Sequence, residues 1–198
     1  MSKRYLLSIL LSTMLTQTVN AQLFVTRAAH VNIQSNNNLK KIEADNYQIS
    51  SIIDLSKNSI RFEGLLKSFE FKLGLLDRVF HSDKVKVNNH PKFRFEGTIT
   101  GLENIDLANF GEYSVTVDGT LYLWDEKRRT KAQGSVTSIG DGKQIFASSG
   151  FTITIEEASL KKMDKIIQKK IPLNLSTSSI GLSRDILILL DASYKTRN

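Results

Sequence analysis

Leu39–Phe80, LKKIEADNYQISSIIDLSKNSIRFEGLLKSFEFKLGLLDRVF, is the stretch whose reading decides the fold. Ile42, Ala44 and Asn46 share one side of a first strand-like run, but by Ile53 and Leu55 the apolar phase has moved by one. The adjacent pair Ile52-Ile53 predicts a bulge at that shift, a device that long strands use to curve. Lys57-Asn58 marks a turn, Ile60-Arg61-Phe62 opens the next strand, and Ser68-Phe69-Glu70-Phe71 forms an aromatic clamp. Leu73–Ser82 then switches to a helical period, with Leu73, Leu76 and Phe80 on one face. So many large apolar side chains in so short a stretch read as a wall and a lid around something apolar.

Working outward, period two dominates. Upstream, Val25, Arg27, Ala29, Val31 and Ile33 alternate with more polar neighbours until the Asn36-Asn37-Asn38 run marks a turn. Downstream, Phe93, Phe95, Gly97 and Ile99 share a face, as do Tyr113, Val115, Val117, Gly119, Leu121 and Leu123. Thr130–Ile139 carries Ala132 and Gly134 on the face of Val136, and Gly140-Asp141-Gly142 is a hairpin signal. Ile145, Ala147, Ser149, Phe151, Ile153 and Ile155 follow, and Ile186, Ile188, Leu190 and Ala192 close the chain. Ala158–Lys170 is the second helical segment, with Leu160, Met163, Ile166 and Ile167 on one face and lysines around the other; beyond Pro172, Asn174–Ser179 reads as a polar loop. Roughly eight strands joined by short turns imply an all-β fold. Their length favours an extended eight-stranded antiparallel β-barrel, lipocalin-like, with one or two short helices at the mouth.

Met1–Ala21 stands apart from the fold. Lys3 and Arg4 precede an apolar run from Leu6 to Leu15, and Val19-Asn20-Ala21 supplies a small-residue exit, the layout of a cleaved signal peptide. The expected mature chain is a single domain over residues 22–198, periplasmic in location. It has no Cys, so packing and hydrogen bonds must hold it. The formal charge of +7 is spread along the chain, which reads as a solvated surface.

The inner face mixes large residues (Phe62, Phe93, Phe95, Phe151) with small ones (Gly64, Gly97, Gly119, Ala132, Gly134, Ala147, Ser149), and small residues leave room for a ligand. The same aromatics interdigitating as a solid core is the alternative on periodicity alone. Catalytic readings find little support. His30, His81 and His90 are far apart in sequence and neighbour no nucleophile or acid in a catalytic layout, and His81-Ser82-Asp83 lacks further metal ligands. Glu156-Glu157 ends a strand and opens a helix, while Asp125-Glu126 with Lys127-Arg128-Arg129 reads as a charged hairpin tip. There is no phosphate loop, and no basic sheet face interleaved with aromatics for nucleic acid.

The runs Ile42–Asn46, Asp54-Leu55-Ser56, Ile60-Arg61-Phe62, Lys67–Phe71 and Leu75-Leu76, followed by His90–Gly97 and Gly111–Gly119, together resemble the YceI-like lipid- and polyisoprenoid-binding family in the form common among Bacteroidetes. The order and spacing of these runs, over nearly all of residues 22–198, carry the resemblance. The chain departs from the family at Val79-Phe80-His81-Ser82, at Lys84–Val87 and at Trp124-Asp125, where a His-Gly pair is common. The resemblance implies a lipocalin-like barrel with a tunnel for an isoprenoid chain, exported to the periplasm, with no catalytic residues; no metal is expected either.

The expected function is therefore a non-enzymatic carrier for a polyisoprenoid, isoprenoid quinone, or fatty acid or amide. Phe62, Phe69, Phe71, Phe93, Phe95, Ile99, Val115, Val117, Leu121, Phe151 and Ile153 are expected to line the tunnel, with Leu75, Leu76 and Phe80 as its lid. No cofactor is expected beyond the bound lipid itself. Lys161, Lys162, Lys165, Lys169 and Lys170 offer a peripheral membrane contact, and a homodimer is compatible with the pattern. A ligand-free barrel serving as a stress-response or protein-interaction scaffold is the alternative.

Overall fold

The computed structural model describes residues 22–37, 40–81, 91–123, 126–170 and 176–197. Met1–Ala21, read above as an export signal, lie outside the described residues. The strands are β1 (Leu23–Asn37), β2 (Lys40–Asp54), β3 (Ser59–Leu65), β4 (Glu70–Phe71), β5 (Lys92–Thr100), β6 (Phe110–Leu123), β7 (Glu126–Ile139), β8 (Gln144–Thr154) and β9 (Asp185–Thr196). The α-helices are α1 (Gly74–Phe80), α2 (Glu157–Lys170) and α3 (Thr177–Ile180). Hydrogen bonding runs in the order β1-β9-β8-β7-β6-β5-β3-β2, and β1 also pairs with β2, so the sheet closes into an eight-stranded barrel. Every pairing is antiparallel, and closure removes the exposed edges that an open sheet must protect, except where the β7–β8 pairing stops at Gln133–Gly150.

The short strand β4 extends this plan. A 3-10 turn at Leu66–Ser68 interrupts the chain after β3, and β4 then pairs with Ala44 and Asp45 of β2, beyond Ser50 where the β3 pairing stops. Strands β3 and β4 are thus one wall strand broken by a turn. That break lets Leu66 and Phe69 turn inward.

The alternation holds with two phase corrections. In β1 the inward side chain at the start is Phe24, not Val25 or Arg27, because the register shifts between Thr26 and Ala29. In β2 the inner set is Ile42, Ala44, Asn46 and then Ile49, Ser51, Ile53, so the phase changes at Tyr47-Gln48 and not at Ile52-Ile53. Asn46 explains the location. Its buried side chain accepts from the Gln48 N–H at 2.8 Å and donates to the Leu65 carbonyl at 3.0 Å, satisfying backbone groups next to the irregularity.

Two loop expectations also change. Lys127, Arg128 and Arg129 lie within β7, opposite Tyr122, Leu121 and Thr120, so the charged run is wall and not hairpin tip. Within the expected polar loop Asn174–Ser179, residues 176–179 contribute to the start of α3, where Ser176 and Ser179 form a capping box. The Gly140-Asp141-Gly142 turn is as expected: both glycines have positive φ (81° and 68°), and Asp141 Oδ1 accepts from the Lys143 and Gln144 N–H groups.

The interior differs along the barrel axis. One half, built from the start of β1, β3, β6 and β8 and the end of β2, β5, β7 and β9, is filled by Phe24, Ile49, Ile53, Ile99, Val115, Val117, Val136, Ile145 and Tyr194, all buried. Leu102, on a 3-10 turn over Leu102–Asn104, is buried with them at this end. Within this core Ser51 Oγ donates to the Arg61 carbonyl (3.1 Å), so the Tyr194 hydroxyl is the donor in the 2.8 Å Tyr194–Ser51 bond. The helices gather at the other end.

Candidate functional site

The mouth half encloses a cavity of about 180 Å³. Its wall is Val31, Ile33 and Ser35 of β1, Ile42 of β2, Phe62 of β3, Phe93 of β5, Leu121 and Leu123 of β6, Phe151 and Ile153 of β8, and Ile186 and Ile188 of β9. Leu66, Phe69, Phe71, Phe80, Ile155 and Leu182 line the remainder. Among the described lining residues, Ser35 alone has a polar side chain, and its hydroxyl is engaged elsewhere. It accepts from the Ser183 N–H at 2.8 Å and lies 3.2 Å from Ser183 Oγ, which itself donates to the Asp185 carbonyl. Among the described residues the cavity surface is therefore apolar, without an acid, base or nucleophile.

Aromatic rings build the floor. Phe62 and Phe95 stack with centroids 4.9 Å apart, Phe151 lies 6.2 Å from Phe95, and Phe93 meets Phe62 edge-on at 6.3 Å. Phe95 fits because Gly97 and Gly119, paired across β5 and β6, leave a notch beneath its ring. A Cβ at Gly119 would run into the Phe95 ring and the Glu96 carbonyl, and one at Gly64 would run into Ile49 and Phe93. Small inner residues were expected to make room for a ligand. At these glycines the room is taken by neighbouring aromatic and aliphatic side chains.

The lid rests on a second apolar cluster formed by Ile42, Leu76 of α1, Ile167 of α2 and Ile180 of α3, with Phe71 and Leu182 against it. The side chains of Met163 and Ile166, expected on the same face of α2, lie outside the described residues. Polar ties fix α1. Asp77 Oδ1 accepts from the Phe71 N–H at 3.2 Å. The His81 ring places Nδ1 2.8 Å from the Asp77 carbonyl and Nε2 2.9 Å from the Lys67 carbonyl. Only the imidazolium donates from both nitrogens. Burial alone would pull the His81 pKa down, but these two carbonyls and the Asp77 charge hold it above the ordinary 6.5.

One side of the mouth is open in its hydrogen bonding. The β7–β8 pairing stops at Gln133–Gly150, and Arg128 spans the two strands above it by donating to the Thr154 carbonyl at 2.7 Å while Glu126 holds the guanidinium at 2.6 Å.

Of the residues expected to contact a ligand, Phe62, Phe69, Phe71, Phe80, Phe93, Leu121, Phe151 and Ile153 line the cavity. Phe95 lies beneath it as floor. Ile99, Val115 and Val117 share the inward face but sit in the filled half, because face follows from alternation while depth depends on where along the strand a residue falls. Leu76 is buried in the helix cluster, and Leu75 is half-buried beside it; neither lines the cavity. Sequence reasoning left out Val31, Ile33, Ile186 and Ile188, whose alternation was visible but whose place opposite the Phe-rich strands depends on the first and last strands pairing. Leu123 and Ile155 end the alternating runs of β6 and β8 and were left out although their period was visible, whereas Leu66 and Leu182 carried no periodic signal for the cavity.

The two described histidines, His30 and His81, do not converge. His30 donates to Asp45 (2.8 Å) and stacks on Tyr47 (centroids 4.4 Å apart) on the outer face, while His90, Ser82 and Asp83 lie outside the described residues. Burial raises the Asp45 pKa, but hydrogen bonds from Asn32 and His30 outweigh it and keep the carboxylate below its ordinary value.

No protein-family model and no curated protein matches this chain. Among solved structures, the fold is similar to that of a polyisoprenoid-binding domain from Saccharophagus degradans implicated in plant cell wall breakdown, with a TM-score of 0.70 at 14% identity over 90% of this chain and 100% of that one. It is also similar to BcnA of Burkholderia cenocepacia, with a TM-score of 0.57 at 14% identity over 83% of this chain and 95% of that one. At such identity the likeness is one of fold: this chain has the closed antiparallel barrel architecture of those two proteins.

Proposed function

We propose that this protein binds a single long apolar chain, a polyisoprenoid or acyl chain, in the mouth half of its barrel and carries or sequesters it after export to the periplasm, as a member of the YceI-like family. The observation that carries this reading is the lining of the cavity, in which every inward group is apolar and the one hydroxyl is turned to a neighbour. The polyisoprenoid-binding domain with the same fold supports the ligand class. A volume of about 180 Å³ lies below the roughly 300–1,000 Å³ of pockets that hold drug-sized ligands, which favours a slender chain over a ring system. Burying about ten methylenes at roughly 0.8 kcal/mol each supplies about 8 kcal/mol, on the order of micromolar affinity before ordering costs. The described lining offers apolar side chains and one engaged hydroxyl, which supports a binding role.

Native mass spectrometry of the protein purified from its own periplasm, with lipid extraction of the same sample, tests the reading. One lipid per chain is the expected result. No co-purifying lipid, together with no binding of isoprenoid or fatty-acid probes, would leave the barrel as a scaffold.

A further inference from the structure

Charge on this barrel is graded along its axis. Residues 22–198 carry a formal +5, the +7 of the whole chain less Lys3 and Arg4. At the filled end Arg27, Lys57, Lys143, Lys195 and Arg197 are offset by Asp54, Glu103, Asp106, Glu112 and Asp141. Around the waist Arg61, Arg94, Arg129 and Lys131 are offset by Glu63, Glu96, Asp118 and Asp191, several of them in ion pairs. The excess therefore belongs to the remaining residues, and α2 at the mouth holds five lysines against Glu157 and Asp164.

The orientation of α2 is fixed by its apolar side. Ile167 is buried on Leu76, Ile180 and Ile42, and Lys161, Lys165 and Lys169, spaced four apart, stand exposed, Lys161 paired with Glu157 at 2.7 Å. On α1's side of the mouth, Leu73 is 41% exposed between the exposed residues Lys72 and Gly74, an apolar side chain that packs into neither cluster.

We infer that the mouth end docks on an anionic lipid surface, with the α2 lysine stripe on the head groups and Leu73 entering the interface, so that the cavity opens toward the bilayer that supplies its ligand. This rests on the apolar-chain reading for its purpose, but its physics is independent of it. Cationic side chains on one helix face, with an exposed leucine at the same end of the barrel, are the elements of interfacial binding. Nucleic acid fits less well, because Phe71 and Phe80, the aromatics of the lid, pack on each other at 4.9 Å and offer no stacking platform.

The test is co-sedimentation of the full mature protein with vesicles of phosphatidylcholine alone or with about one-third phosphatidylglycerol, at low and high salt. Solution binding of a fluorescent fatty acid is measured in parallel. Expected are partitioning onto the anionic vesicles only, loss at high salt, and a drop of roughly 100-fold for Lys161→Gln/Lys165→Gln/Lys169→Gln, about fivefold per lysine. Leu73→Ser should weaken vesicle binding as well, and both variants should bind the fatty acid in solution as the parent does. Equal partitioning of parent and triple variant, or no preference for anionic vesicles, would overturn the docking proposal. So would stripping of the protein from vesicles by a single-stranded oligonucleotide at matched phosphate. If vesicles bind and the fatty acid does not, docking stands and the carrier reading fails.

Discussion

The Phe62 and Phe95 rings stack 11° from parallel with centroids 4.9 Å apart, and at this pair the barrel passes from hollow to filled. Phe62 faces the cavity, while Phe95 closes it from below over the Gly97–Gly119 notch. Replacing Phe95 by Ala should therefore do two things. It should destabilise the protein by about 3–5 kcal/mol, the usual range for a buried Phe→Ala change, and it should deepen the cavity. Denaturant unfolding reads the first, and a series of fatty acids of increasing length reads the second. The optimum should move to longer chains. An unchanged length optimum would mean that Phe95 is not the floor.

Tyr194 supplies a prediction at alkaline pH. Burial pushes its phenol up to about 12. An acid whose folded pKa is raised stabilises the fold fully below its unfolded value of 10.0 and loses that contribution as pH rises toward about 12. The loss amounts to roughly 2–3 kcal/mol at about 1.4 kcal/mol per pKa unit. Urea unfolding of the parent at about pH 9 and about pH 11 should show about half of that decline, roughly 1.4 kcal/mol, beyond the change seen in Tyr194→Phe. At neutral pH the variant should lose only about 1 kcal/mol, the net worth of one hydrogen bond. Parallel pH dependence in both proteins would rule Tyr194 out as the source.

His81 ties the lid to the wall between the carbonyls of Asp77 and Lys67. Because its pKa is raised when α1 is docked, the tie is fully present below about pH 6.5 and is lost as pH climbs through the raised value. Lid opening should therefore be easier at about pH 8 than at about pH 5.5. Stopped-flow release of a fluorescent fatty acid should speed up severalfold over that interval in the parent. In His81→Gln it should be fast and nearly flat. An identical pH profile in the two proteins would remove His81 from the lid.

The barrel was legible in the sequence because alternation in the runs through Phe93–Ile99, Tyr113–Leu123 and Ile145–Ile155 reports a strand and its inward face directly. The cavity was legible only in part. Val115 and Leu121 share a face on β6, yet one is in the filled half and the other lines the hollow half. What separates them is depth, set by strand register and by which residues fill the notch above Gly119, and no local period encodes it. Asn46 hid the bulge in β2 for a related reason. Asn46 continues the face of Ile42 and Ala44 in sequence, and the two hydrogen bonds by which it holds the irregularity in place leave no mark in the local period.

Methyl-labelled NMR titration of the mature protein with palmitate, and then with a short polyisoprenol, tests the position of the ligand most directly. A chain in the mouth half shifts the methyls of Leu121, Ile153, Ile186 and Ile188 and shows through-space contacts to them, while Ile99, Val115, Val117 and Val136 stay in place. Shifts confined to outward methyls such as Ile52, Ile139 and Leu187, or no shifts at saturating ligand, would contradict binding inside the barrel.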